Sequence, residues 1–253
     1  MRQSRLYIDP ARHQLAAGEQ IELADQHAHY LKNVLRLRVD HPLTVFDGCG
    51  NAYDALITRV EKKRVAIKIA QEIKCSTRQQ TLGLTLAIAV SRGERMDWVI
   101  QKATELGVSR IQPLLTERVE VKLDATRWQK KNQHWQHIAI AACEQSGRNI
   151  LPELFQPLPL NEFLSNRTTQ QRDQLCLVLD FVDTSFVELE KRHEKPKHVT
   201  LLVGPEGGLS SDELRQANHW GFLSMSLGPR ILRTETAPLA AMSILQFLWG
   251  DMR

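Results

Sequence analysis

The chain has 253 residues, 42% hydrophobic and 25% charged, with a net charge of +4. That length holds one large domain or two smaller ones, and the composition is that of a soluble globular protein with no need for a disordered tail. The longest apolar run, 237–249, is too short and interrupted to span a bilayer, and no apolar stretch follows Met1–Arg5, so no membrane segment and a cytoplasmic location are expected.

Cys49, Cys75, Cys143 and Cys176 are scattered with no close pair, which fits a reducing compartment and argues against a disulfide framework or a zinc site. His27 and His29, or His134 and His137, sit at metal-compatible spacings, but no carboxylate or cysteine cluster joins them, and no metal is expected. Residues 1–75 hold 12 Lys/Arg against 9 Asp/Glu, so this small part carries +3 of the net charge. Lys32, Arg36 and Arg38 gather at one helix end, and Arg59, Lys62, Lys63, Arg64 and Lys68 crowd one hairpin. Such runs are either a solvated surface or a face for a nucleic-acid backbone.

In chain order, 5–9 and 19–23 read as short strands and 25–37 as a helix with Ala28, Leu31, Val34 and Leu35 on its apolar side. From Pro42 to Ile73 the pattern is strand, with turns at 46–51 and 60–65, and Val65, Ile67 and Ile69 alternate with polar residues as in a half-buried strand. This segment reads as a small β-barrel. The polar stretch Cys75–Gln80 has no periodicity and is the expected linker. It separates a first domain, 1–74, from a second, 75–253.

Leu82 to Val90 is a nearly continuous apolar run, as a buried parallel strand should be. A helix follows Arg92-Gly93-Glu94, with Met96, Val99, Ile100, Ala103 and Leu106 at helical spacing, and Gly107 ends it. Then come a strand at 110–115 and a long helix at 124–145, whose Trp128, Trp135, Ile138, Ala139 and Ala142 form a core face. Residues 152–159 read as irregular, 160–164 as a short helix, 174–179 as a strand, 184–190 as a further element and 191–197 as a charged loop. Strands alternating with helices predict an α/β domain with a largely parallel sheet.

Two turns near the end stand out. The strand 198–203 runs into Gly204-Pro205-Glu206-Gly207-Gly208, and Ser210-Ser211-Asp212-Glu213 then reads as a capping box opening a helix. The strand 222–227 runs into Gly228-Pro229, and Thr234 or Thr236 is placed to cap the helix carrying Leu239 to Trp249, with Pro238 in its first turn. Between them Arg230, Arg233 and Glu235 interleave with Ile231 and Leu232, apolar residues that need burial, at a sheet edge where α/β folds bind ligands. The chain lacks both the phosphate-binding loop G-x-x-x-x-G-K-[ST] and a G-x-G-x-x-G fingerprint after the first strand of this domain. Their absence argues against a P-loop NTPase and against a conventional Rossmann site.

The long string Leu201–Leu209 with Leu227–Pro238 closely resembles the RsmE family of ribosomal RNA methyltransferases, of the SPOUT class. The resemblance extends to Arg92-Gly93-Glu94, to 102–108, to Glu117-Arg118 and to 141–148, and so covers essentially the whole chain. It implies a PUA-like RNA-binding N-terminal domain and an α/β domain with a C-terminal trefoil knot. It implies S-adenosylmethionine as cofactor, held largely by backbone groups at Leu179, Leu202, Gly204, Pro205, Glu206, Gly207, Leu227, Gly228, Ile231, Leu232 and Thr234. The methyl group would go to N3 of a uridine in 16S ribosomal RNA or the small ribosomal subunit. Arg230 or Arg233 would stabilise the developing uridine anion, and Glu235 is the candidate proton acceptor or base-orienting group. Lys32, Arg36, Lys62, Lys63, Arg64, Arg118 and Arg148 are the expected RNA contacts. A homodimer is implied too, with Arg118, Glu144, Gln145 and Arg148 near the cofactor of the partner or of their own subunit. Other readings are a SPOUT transferase for ribose 2′-oxygen or transfer RNA, and a catalytically silent RNA-binding protein of ribosome assembly.

Overall fold

In the computed structural model of the chain, the residues described are 3–73, 82–121, 123–166, 174–181, 186, 188–189 and 194–252. They group into two units, Met1–Thr77 with Cys143–Leu151, and Arg78–Ala142 with Pro152–Arg253. The expected linker 75–80, most of the expected element 184–190 and the first part of the charged loop, 191–193, lie outside the described residues.

The first unit is built on five strands: β1 (Ser4–Tyr7), β2 (Gln20–Ala24), β3 (Pro42–Phe46), β4 (Ala52–Val60) and β5 (Arg64–Glu72). Their order is β1-β3-β4-β5-β2, with β1 parallel to β3 and the other pairs antiparallel. Register shifts in β4–β5 between Asp54 and Ala55 and between Ile57 and Arg59 mark irregularities of the kind that bend a strand and curl a sheet. Val65, Ile67 and Ile69 enter the core with Leu43, Val45 and Ile57, as their alternation requires. In the first hairpin the Asp47 carboxylate accepts from the amides of Cys49 and Asn51 and from the Asn51 side chain.

The single helix expected over 25–37 is two pieces. Helix α1 (Asp25–His29) passes into a π-helical turn, Tyr30–Val34, in which the Leu35 N–H donates to the Tyr30 carbonyl. The wider turn keeps Leu31 buried and rotates Val34 out to 58% exposure, so Val34 is not the core residue its spacing suggested.

The second unit carries a parallel sheet whose strands are β6 (Gly83–Ala89), β7 (Arg110–Leu115), β8 (Glu153–Leu154), β9 (Leu158–Pro159), β10 (Gln174–Leu179), β11 (His198–Val203) and β12 (Leu223–Met225). The order is β12-β10-β11-β6-β7-β8, and β9 also pairs with β7. The stretch 152–159 is therefore not irregular: two residues at each end add to the edge of the sheet, too few to produce a periodic pattern. Between the strands lie α2 (Arg95–Glu105), α3 (Ala125–Ser146), α4 (Leu160–Ser165) and α5 (Ser211–His219), and α6 (Thr236–Trp249) follows the last strand. Among the described residues no helix is long and apolar enough to cross a membrane.

Each strand's alternation divides the sheet between two cores. Leu201 and Val203 of β11 join Met96, Ile100, Trp135 and Met242 on one face, while Leu202 faces Leu160, Leu164 and Ala217 on the other. Trp135 is fully buried and its indole N–H donates to the Asp97 carboxylate at 3.0 Å, whereas Trp128 and Ile138 are only partly buried on the same core. The expected capping box is present at α5: the Ser210 hydroxyl accepts the Glu213 N–H and the Glu213 carboxylate accepts the Ser210 N–H. At α6 neither Thr234 nor Thr236 caps. The Arg233 carbonyl instead accepts from both Thr236 and Ala237, each at 2.9 Å, so backbone satisfies amides that a side chain was expected to satisfy.

Candidate active site

Strands β10, β11 and β12 are parallel neighbours that end at Leu179, Val203 and Met225, so the chain leaves the sheet three times at adjacent carboxyl ends. The segments that follow enclose a cavity of about 730 Å³. Leu179, Val203, Met225 and Leu227 give it apolar walls, and Asp180 is held at the rim by its N–H, which donates to the Met225 carbonyl at 2.9 Å.

The turn after β11 forms one side. A Cβ on Gly204 would stand 2.8 Å from the Leu209 amide nitrogen, so only glycine lets the backbone close so tightly. The Gly208 N–H donates to the Pro205 carbonyl at 2.8 Å, and Gly208 has φ +69. The turn after β12 forms the opposite side, where Gly228 has φ +91 and its N–H donates to the Ser226 hydroxyl at 3.3 Å. A backbone-lined slot with apolar walls suits a flat heterocycle whose edges need N–H and C=O partners.

Of the residues expected to hold a cofactor, Leu179, Gly204, Pro205, Glu206 and Gly207 line the cavity from one side. Leu227, Gly228, Ile231, Leu232 and Thr234 line it from the other. Leu202 does not: it is fully buried in the opposite core, because the pleat turns it away from the face that Val203 shares with the cavity. Ile231 differs from expectation in another way, being 84% exposed at the mouth of the cavity.

The charged residues expected here also converge. Arg230, Arg233 and Glu235 line the cavity with Arg118, which arrives from the loop after β7. Arg233 is 83% exposed in its side chain and lies 3.9 Å from the Glu235 carboxylate, which is only 19% exposed and accepts from the Thr234 hydroxyl at 3.3 Å. At that separation and exposure the pair is loose, and the arginine is available to another anion. Arg95, from the start of α2, pairs with Glu206 at 2.6 Å. Arg95, Asp180 and Phe181 were missed by sequence reasoning. Arg95 follows the singled-out Arg92-Gly93-Glu94, which was a usable signal, whereas Phe181, 74% exposed on the cavity wall, has no periodicity to betray it.

The remaining expected RNA contacts, Lys32, Arg36, Lys62, Lys63, Arg64 and Arg148, belong to the first unit. Arg64 pairs with Glu22 at 2.7 Å, Arg59 with Glu22 and Glu61 at 3.1 Å, and the Lys32 ammonium donates to the Glu61 carbonyl at 3.3 Å. Lys62 and Lys63 stand exposed at the hairpin tip. In the same unit Glu144 accepts the Tyr7 N–H at 3.0 Å; burial raises its pKa, opposed by that hydrogen bond and by Arg5. Burial pushes the neighbouring Cys143 thiol up to about 11, against the pull of Arg148 and Arg5, so it is a poor nucleophile. Among the described residues no group of His, Cys, Asp and Glu could hold a metal ion.

Comparison with known proteins agrees with this arrangement. Residues 78–246 match a family model described as an RNA methyltransferase domain, and residues 17–70 match an RNA methyltransferase PUA domain. Ribosomal RNA small subunit methyltransferase E of Buchnera aphidicola is 32% identical over 98% of this chain and 95% of its own length. The protein of that name from Bacillus subtilis is 29% identical over 96% of each. Among solved structures, a putative methyltransferase from Legionella pneumophila with bound cofactor SAM superposes with a TM-score of 0.91 at 40% identity, covering 100% of both chains. Ribosomal RNA small subunit methyltransferase E from Neisseria gonorrhoeae, bound to S-adenosyl methionine, gives 0.89 at 37%, again over 100% of both.

The two glycine turns should respond differently to a methyl group. Gly204→Ala places a Cβ against backbone and should cost about 1–3 kcal/mol as the turn shifts. Gly228→Ala meets open space and carries only the strain of its positive φ, about 1 kcal/mol. Thermal unfolding of the two variants should therefore show the larger fall for Gly204→Ala, and the reverse order would refute the packing argument.

Proposed function

The chain belongs to the family of RNA methyltransferases that includes ribosomal RNA small subunit methyltransferase E, and on that premise we propose that it methylates N3 of a uridine in 16S ribosomal RNA from S-adenosylmethionine. The observation that carries this reading is the backbone-lined cavity at the ends of β10, β11 and β12, rimmed by Arg118, Arg230, Arg233 and Glu235. Its tight Gly204 turn and its apolar walls fit a cofactor held by main-chain groups. When bound, S-adenosylmethionine supplies an electrophilic methyl group on a positively charged sulfur.

The chain's own residues must then deal with the uracil N3–H, whose proton has to leave as the new N–C bond forms. Glu235, shielded and steadied by Thr234, accepts or orients that proton. Arg233 or Arg230 stabilises the negative charge spreading onto the uracil ring. In this reading residues 1–74 are the RNA-binding domain and 75–253 the transferase domain, with its last segments forming a trefoil knot. The working form is a cytoplasmic homodimer acting on 16S ribosomal RNA or the small ribosomal subunit.

The direct test is transfer of labelled methyl from S-adenosylmethionine to small subunits isolated without the modification, with the product base identified. Arg233→Ala and Glu235→Gln should keep cofactor affinity in calorimetry and lower kcat and kcat/KM together, by on the order of 10²-fold. Methyl on a ribose oxygen or on transfer RNA, or no transfer at all, would sink the proposal; loss of cofactor binding in these variants would move them from chemistry to architecture.

Replacing Lys62, Lys63 and Arg64 together by Ala should weaken RNA binding and flatten its salt dependence, by about 0.7–0.9 in the log–log slope for each phosphate no longer neutralised. An unchanged slope would place the RNA footprint elsewhere. Sedimentation should give the mass of two chains at micromolar concentration, and a fully active monomer would defeat the dimer.

A further inference from the structure

The loop after β7 and the turn after β11 build adjoining parts of the cavity wall, and one buried carboxylate connects them. Glu213 is 8% exposed. Its Oε2 accepts the Ser210 N–H at 2.8 Å and so closes the capping box of α5. A capping box needs only that one oxygen. The other, Oε1, accepts the N–H of Glu117 at 2.8 Å, 96 residues away in sequence.

The next residue after Glu117 is Arg118. Its guanidinium donates to the Gly207 carbonyl, and its Cδ packs 3.2 Å from where a Cβ on Gly207 would stand. The peptide between Gly207 and Gly208 is thus held at both ends, its carbonyl by Arg118 and its N–H by the Pro205 carbonyl at 2.8 Å. Because a peptide is planar, two such anchors set the orientation of the whole unit. Another tie to the same loop, Arg92 to Glu120 at 2.9 Å, joins side chains 66% and 67% exposed, and pairs of that kind contribute little. Val119 and Val121 also rest against the core, and the buried hydrogen bond adds to that packing a fixed position for the main chain beside Arg118.

We propose that Glu213 is a positioning residue for the cofactor: through Glu117 and Arg118 it fixes the Gly207 peptide in the wall of the cavity. This rests on the reading of that cavity as the S-adenosylmethionine site. Glu213 touches neither cofactor nor RNA in this scheme, and its effect is transmitted through the main chain at Glu117 and then the side chain of Arg118.

Calorimetric titration of S-adenosylmethionine into the full-length protein, together with thermal unfolding, tests the inference. Glu213→Gln replaces one of two acceptor oxygens by a donor, so one of the two N–H partners is lost. Ser210→Ala weakens the same cap from its hydroxyl side and leaves the link to Glu117 in place. Both should unfold at lower temperature, but only Glu213→Gln should raise the Kd, by roughly tenfold, equivalent to about 1.4 kcal/mol. Combined with Arg118→Ala, the Glu213→Gln loss should be smaller than the sum of the two single losses, since they break one chain of contacts. Should Glu213→Gln fail to fold, Glu213→Asp carries the same test, because its shorter side chain withdraws from Glu117 while keeping its charge at the helix start. An unchanged Kd in the Glu213 variant, an equal rise in Ser210→Ala, or full additivity with Arg118→Ala overturns the inference. A wild-type protein that bound no S-adenosylmethionine would instead overturn the cofactor reading beneath it.

Discussion

Between Gly204 and the amide nitrogen of Leu209 there is no room for a side chain, since a Cβ would come within 2.8 Å of that nitrogen. That close approach lets β11 end and α5 begin within a few residues, with Leu209 already packed in the core beside Leu202. A turn so tight presents much main chain to the cavity, and its one charged residue, Glu206, is paired with Arg95 of α2. The cavity's other charged groups come from neighbouring segments: Asp180 from just past the end of β10, Arg118 from the loop after β7, and Arg230, Arg233 and Glu235 from the segment before α6. The division follows from sterics. Where backbone must close on itself, recognition by backbone is what remains, and side-chain chemistry has to be brought in from neighbouring segments.

Much of this was legible in the sequence because it rested on strong local signals. The apolar runs of β6, β10 and β11, the helical spacing of Met96, Val99, Ile100 and Ala103, and the Ser210–Glu213 box each state their structure within a few residues. The candidate site was legible for the same reason, since its two Gly-Pro turns interrupt apolar strands. What escaped was set by distant partners. Strands β8 and β9 are two residues each and exist only because β7 offers an edge. Leu202 sits in the middle of a buried run, where both faces of the strand are apolar and nothing local says which residue looks toward the cavity. Ile231 was expected to be buried because it is apolar, yet its exposure belongs to the rim it occupies. The cap of α6 was sought among hydroxyls and found in a carbonyl, which no side-chain pattern reveals.

The first unit shows how a basic composition can overstate a basic surface. Arg59 and Arg64 both lean on Glu22, and Arg59 also reaches Glu61, so this part of the positive run is locally neutralised. Such exposed pairs add little to stability. They do organise the hairpin so that Lys62 and Lys63 project from its end. Electrostatic attraction to a phosphate chain would then be concentrated at the tip.

The assignment of Cys143–Leu151 to the first unit has a consequence for how the protein could be taken apart. Cys143 and Leu151 pack with Phe46, Ala52, Tyr7 and Ile73, the Tyr7 N–H bonds to Glu144, and Arg5 bonds to Asn149. A fragment ended at residue 74 would expose that apolar cluster and strand those polar groups, although it would contain every strand of the five-stranded sheet. The units are two folds but not two beads: the chain enters the first, leaves it, and returns to complete it. Shuffling the first unit between proteins by a single crossover would leave it unfinished, so sequence changes in strands β1 and β3 and in the last turn of α3 and the residues just after it are bound to one another across about a hundred or more intervening positions.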